Sequence, residues 1–169
     1  MSNSIWMTGD SLQSRALARD AVAIGEALAD LSLTVVASYY LGAAAFTMGN
    51  YGETEAAFRR VLESLRDHPR HERFGMTGFP GAISHSYLAW SLGERGRFGD
   101  GIAHGQEGLR VAEAIGQPFS QAWACWGLSH AHAIQGNHEE ALRLIERATV
   151  VSRAAGAEGW SVVNTARRR

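Results

Sequence analysis

Three times in this chain a Leu is followed by a small residue, then by a glycine seven residues later, then by an aromatic residue or His two positions beyond. The copies read Leu41-Gly42 with Gly49-Asn50-Tyr51, Leu88-Ala89 with Gly96-Arg97-Phe98, and Leu128-Ser129 with Gly136-Asn137-His138. Each copy reads as a helix, a glycine turn and a second helix, because the flanking apolar residues recur at helical spacing. The turn glycine takes a positive φ at no steric cost. Gly42, Ala89 and Ser129 fall where the two helices of a pair cross, and a larger side chain there would push the backbones apart. Tyr51, Phe98 and His138 are expected to plug the crevice beneath the turn, with Thr54, Gly101 and Ala141 at the close-packed start of the second helix.

The chain resembles the tetratricopeptide repeat family in this pattern. The resemblance implies an all-α fold, a right-handed α-solenoid of stretched helix pairs with about seven helices. Gly49 and Gly96 lie 47 residues apart and Gly96 and Gly136 lie 40 apart, both beyond the usual ~34. The expected division is a flexible N-terminus over 1–10, a helical domain over 11–155 and a truncated or partly ordered tail over 156–169. Within the domain, repeats over about 33–67, 82–116 and 119–154 follow a lone helix over 11–31, which reads as the second half of a pair. The tail stops where a fourth repeat should begin, as in a fragment of a longer protein. The pattern has gaps. Ser38, His85 and Cys125 stand where the family places a bulky residue, and Gly101, Gly105 and Gly108 stand where it prefers Ala or an aromatic. Each helical glycine costs about 0.5–1 kcal/mol relative to Ala, which predicts that the middle repeat is the soft one.

In tetratricopeptide solenoids the first helix of each pair lines a concave groove. One face of those helices here carries Val36, Tyr39, Ala43, Phe46 and Thr47, then Ile83, Ser86, Trp90 and Glu94, then Trp123, Trp126, His130 and Ile134. That is an aromatic surface with almost no charge. It lacks the cationic set that clamps a peptide carboxylate, and Tyr and Trp dominate binding hot spots. The groove candidates are therefore Tyr39, Phe46, Ser86, Trp90, Glu94, Trp123, Trp126 and His130, gripping an apolar protein or peptide segment or a neighbouring domain. The alternative is that the same aromatics pack between repeats. A second candidate is the loop from His68 to Gly81, where Arg70, His71 and Arg73 are able to meet an anion, or where Phe74 and Phe79 tuck under the repeats.

The run Glu72-Arg73-Phe74-Gly75 with Gly78-Phe79-Pro80, then Leu88-Ala89-Trp90 with Gly96-Arg97-Phe98, then Glu107-Gly108-Leu109-Arg110-Val111-Ala112-Glu113 carries a narrower likeness. It resembles the repeat region of large bacterial signalling proteins that join an adenylate/guanylate cyclase or kinase-like domain to an AAA-type ATPase. The implied role is a sensory or scaffold module. A signal-peptide or small-ligand receptor binding in the concave groove is the alternative.

Other classes fit poorly. The net charge is −1 and the basic residues are scattered apart from Arg167, Arg168 and Arg169, so the stripe that nucleic-acid backbones require is missing. No lysine is present, which excludes Schiff-base and phosphate-loop lysine chemistry. The single Cys125 precludes an internal disulfide and reads as an inert buried thiol. His130 and His132 point to different helix faces, and His68 and His71 have no ligand spacing around them, so neither a metal nor another cofactor is expected. No stretch approaches the ~18 apolar residues of a membrane span, and no signal peptide is evident. The reading is a non-catalytic cytoplasmic protein, with possible pairing of two copies through apolar end helices.

Overall fold

A computed structural model describes residues 10–68 and 72–154. The expectations for the N-terminal segment before Asp10, for Arg70 and His71, and for the tail after Ala154 lie outside the described residues. Among those described there are seven helices and no strand: α1 (Ser11–Ala27), α2 (Leu31–Thr47), α3 (Tyr51–Ser64), α4 (Pro80–Glu94), α5 (Phe98–Ile115), α6 (Pro118–Gln135) and α7 (His138–Ala154). The chain is an all-α helical repeat, as the periodicity implies. Helices α2, α4 and α6 form one layer, and α1, α3, α5 and α7 form the other.

Local chemistry sets each start. Asp10, Asp30 and Asn50 cap α1, α2 and α3 by accepting from the amides of Gln13, Leu33 and Glu53 at 2.9, 3.0 and 3.3 Å. Pro80 and Pro118 sit inside the first turn of α4 and α6, where the missing N–H would have no helical partner anyway. The prolines thus open these helices, which begin one or two residues earlier than periodicity suggests. Gly49, Gly96 and Gly136 hold φ of 71°, 75° and 93°, so all three turns take the left-handed step that glycine accommodates.

Helices approach one another at small residues, both between the layers and within the inner one. A Cβ on Gly42 would lie 2.7 Å from the Phe58 ring, and one on Gly127 would lie 2.5 Å from the Ser86 carbonyl oxygen. The middle repeat departs from expectation. A Cβ on Gly101 would meet the Ala89 carbonyl at 2.8 Å, on Gly105 Leu128 at 2.7 Å, and on Gly108 His85 at 2.7 Å. These glycines let α5 lie flush against α4 and α6, so their propensity cost accompanies close packing rather than marking a loose repeat. His138 also departs: it is exposed, whereas Tyr51 and Phe98 are half-buried beneath their turns.

Buried apolar side chains fill the space between layers, with Phe58, Leu88 and Leu92 at 0% and Ile83 at 2% exposure; each such side chain contributes roughly 1.5–3 kcal/mol. Arginines on the outer layer tie neighbouring repeats. Arg15 and Arg19 of α1 reach Glu53 of α3 at 2.6 and 2.7 Å, which joins α1 to the next helix of the outer layer. Glu55 takes Arg59 and Arg97 at 2.9 and 3.0 Å and also bonds Arg95. Burial raises the pKa of Glu55, but its hydrogen bond and charge contact with Arg59, then Arg97, outweigh this and hold it below the usual carboxylate value. Glu53 is likewise held down, by Arg15 and Arg19 against burial.

Two tests follow from this packing. Gly105→Ala and Gly127→Ala each overpack a helix crossing and are expected to cost about 1–3 kcal/mol, read as a lower Tm. Gly99→Ala meets no atom within 4 Å and should be neutral or stabilising by up to about 1 kcal/mol. Because the folded pKa values of Glu53 and Glu55 are depressed, their contribution is present above the unfolded carboxylate value of ~4.3 and is lost as pH falls through the folded values. Glu55→Gln should therefore lower Tm at neutral pH and flatten its acid dependence in a series of thermal melts.

Candidate interaction surface

The face shared by α2, α4 and α6 is built from rings. Tyr39 and Phe46 come from α2, Tyr87 and Trp90 from α4, and Phe119, Trp123, Trp126 and His130 from α6. Helical spacing stacks them along each helix, and the small residues described above bring the helices close enough for rings to meet across them. Phe46 packs edge-on to Tyr87 at 5.1 Å and to Trp90 at 5.2 Å. Tyr87 continues to Trp123 at 5.5 Å, and Trp123 to Trp126 at 5.1 Å. Trp90 lies between Trp126 at 4.2 Å and His130, stacked nearly parallel at 3.5 Å. The result is one aromatic network running through three consecutive helix pairs.

Exposure grades these residues. Trp90 and Trp123 retain 9% and 8% of their surface, while Tyr39, Phe46, Trp126 and His130 are half-buried. Glu94 stands at the C-terminal end of α4 with a 30% exposed side chain. Its Oε1 accepts from Trp90 Nε1 at 3.1 Å and lies 2.8 Å from His130 Nε2, which donates to it. Trp90, Glu94, Trp126 and His130, four of the sequence candidates, thus form one linked cluster. Ser86 does not join it. At 1% exposure, its hydroxyl donates to the Ala82 carbonyl at 3.4 Å and its backbone faces Gly127, so it sets helix spacing rather than offering a contact. Thr47 turns aside to bond Ser11 at 2.8 Å.

Tyr87, Phe58 and Phe119 are not among the sequence candidates, and Tyr51 is expected only as a plug beneath its turn. Tyr87 is 3% exposed and stacks on Phe58 at 4.4 Å, and burial pushes its phenol well up, with Tyr39 adding to the effect. Tyr87 lies four residues after Ile83 and three before Trp90, so helical periodicity would have found it. Tyr51 packs on Phe46 at 6.0 Å; its phenol is raised by burial and then by the Glu94 charge, with the Trp90 indole acting the other way. No spacing signal pointed to Phe58, whose place is set by Gly42.

The loop candidate divides. Phe79 is buried, and its amide donates to Ser120 Oγ at 3.0 Å. Gln117 Nε2 donates to the Thr77 carbonyl at 2.9 Å. Phe74 is half-buried, with a φ of 49°, while Arg73 is exposed. The described part of this loop is thus stitched to the start of α6. His85 and His104 share an Nδ1···Nδ1 hydrogen bond of 2.9 Å, and no group of three metal-ligating side chains occurs among the described residues. Burial pushes the Cys125 thiol up to about 11. No helix among the described residues is long and apolar enough to cross a membrane.

Comparison with known proteins agrees with this geometry. A tetratricopeptide repeat model matches residues 122–147, the third sequence copy. Among solved structures, a Podosopora anserina protein described as a kinesin light chain with nearly identical TPR-like repeats superposes with a TM-score of 0.66 and 15% identity, covering 90% of this chain and 72% of that one. A single-substitution variant of it gives a TM-score of 0.67 and 15% identity, covering 92% and 73%. The fold is a tetratricopeptide-type helical repeat. No curated protein matches the chain in sequence. Tetratricopeptide folds are typically non-catalytic interaction modules, stacking helix pairs into extended binding surfaces.

Two expectations follow. Trp90→Ala removes a ring packed on three others and should cost about 3–5 kcal/mol, seen as a large fall in Tm. The raised pKa and full burial of Cys125 predict that a maleimide leaves the folded chain unmodified at neutral pH and labels it on unfolding.

Proposed function

We propose that this chain is a non-catalytic protein-interaction scaffold whose α2–α4–α6 face holds an apolar segment of a partner protein or peptide. One observation carries the reading. The rings of that face form a continuous network across three helix pairs, with Tyr39, Phe46 and Trp126 half-buried at its surface, while the described arginines lie on the outer layer, in the turns and in the loop before α4. Rigid aromatic side chains lose little entropy on contact and supply much of the affinity of small interfaces. Half-buried Tyr39, Phe46 and Trp126 offer area, while Trp90 and Trp123 hold them in place from beneath.

The wider setting in this proposal is the regulatory part of a larger bacterial signalling protein, on the strength of the motif likeness in the loop and middle repeat. The ends add surface for a neighbouring domain or a second copy: Leu12 and Leu28 of the first helix hairpin are 67% and 69% exposed, and Val150 of α7 is 67% exposed.

The test is selection from a displayed library of random dodecapeptides against the purified chain, followed by affinity measurement on variants shown by melting to be folded. Phe46→Ser combined with Ile134→Ser should weaken the selected peptides at least about tenfold, roughly 1.4 kcal/mol, whereas Val150→Ser on α7 should leave them unchanged. Equal affinity across all three proteins would refute the assignment of this face.

A further inference from the structure

We infer that the segment held on the α2–α4–α6 face carries a basic side chain, arginine or lysine, that pairs with Glu94. This rests on the proposed function above and specifies the chemistry of the partner.

The sequence distributes its charge unevenly. Sixteen basic and seventeen acidic residues occur in the chain, yet α2, α4 and α6 together hold one formally charged side chain, Glu94. The arginines nearest to it in sequence are drawn elsewhere. Arg95 and Arg97 both bond Glu55 of α3, and Arg97 also bonds Asp100 at 2.7 Å. The aromatic face therefore presents a single carboxylate, met within its own layer by the His130 imidazole and by no arginine.

The carboxylate is held rather than loose. Trp90 Nε1 and His130 Nε2 both donate to the same oxygen, Oε1, so the bonds that fix Glu94 in place leave Oε2 outside their geometry. The side chain keeps 30% exposure, enough for a partner to reach it. Aromatic rings lie beside it: Trp90, itself stacked on His130 and tilted against Trp126, and Tyr51, whose phenol is raised by burial and then by the Glu94 charge. Such a setting suits a long cationic side chain. The methylene stem of Arg or Lys lies along aromatic surface while the charged head reaches a carboxylate, and ring faces add attraction for the cation. Arginine has the further advantage of a planar fork that pairs with both oxygens of a carboxylate.

The same arrangement rejects acidic segments. A carboxylate brought to this face meets Glu94 with no arginine on the three helices to neutralise it, and like charges at an interface discriminate strongly between partners. Partner choice on an otherwise sequence-tolerant aromatic surface is then set by one charge, at the rim where α4 ends.

The dodecapeptide library, panned in parallel on the wild-type chain and on Glu94→Gln at near-physiological salt, tests this. Wild type should enrich peptides with Arg or Lys beside apolar residues, and Glu94→Gln should lose that enrichment. For an enriched peptide, Glu94→Gln and replacement of the peptide's basic residue by Gln should each weaken binding about fivefold to tenfold, with little further loss when combined, as a direct pair requires. Glu94→Arg should shift selection towards acidic peptides. Should a Glu94 variant fail to fold, the peptide substitution measured on wild type still decides the matter. Enrichment of neutral or acidic sequences by wild type, or the same sequences from wild type and Glu94→Gln, would overturn the inference while leaving the aromatic face intact as a binding site. Peptides insensitive to the Phe46 and Ile134 substitutions would overturn the face assignment itself, and the inference with it.

Discussion

Everything in this molecule depends on how closely its helices approach. Where Gly42 meets Phe58, Gly105 meets Leu128 and Gly127 meets Ser86, no room exists for a methyl group. The Gly127 contact draws α6 onto α4, where the Trp90, Trp123 and Trp126 rings meet, and the other two seat α2 and α6 on the outer layer. Close approach at small residues thus supports the aromatic network. A helical repeat with ordinary side chains at these crossings would space its rings apart, and its inner face would be a row of separate ridges. Close packing also explains why glycine, a poor helix former, is tolerated in the middle of α5.

The second organising constraint is the separation of charge from aromatic surface. The outer layer is laced by arginine–carboxylate pairs that join successive repeats, α1 to α3 through Glu53 and α5 to α7 through Glu113 and Arg147. Exposed pairs of this kind contribute little individually. Glu55, largely shielded, bonds three arginines and ties the first repeat to the turn of the second. By engaging Arg95 and Arg97, it also keeps positive charge away from Glu94. The outer electrostatics and the character of the inner face are in this sense one design.

Much of the fold was legible because its signals are local. Turn glycines announce themselves by spacing, Leu with its small neighbour marks each crossing, and amphipathic periodicity marks the helices. The errors came where a residue's role depends on what lies across from it. Glycines of α5 read as weak points on propensity alone; only the position of Leu128 and His85 shows why nothing larger fits. Pro80 reads as part of the loop and Pro118 as part of the gap between two repeats, since a proline has the same local effect before a helix as after one. His138 matched the plug position in sequence but stays exposed at its turn. The aromatic face was visible as a list of residues, but its connectivity through Tyr87 and the anchoring of Glu94 by Trp90 and His130 are tertiary facts. So is the role of Ser86, which helical spacing puts on the groove and helix packing hides behind it.

The central claim is that the first-helix layer is the working surface and the outer layer its support. Hydrogen–deuterium exchange of the whole chain, with and without a saturating peptide selected from the random library, tests it most directly. The account predicts that added protection concentrates in α2, α4 and α6, strongest around Phe46, Trp90 and Trp126, with α1, α5 and α7 changed little. Protection centred on the outer helices, or on the apolar ends at α1 and α7, would contradict it and place the working surface elsewhere on the solenoid.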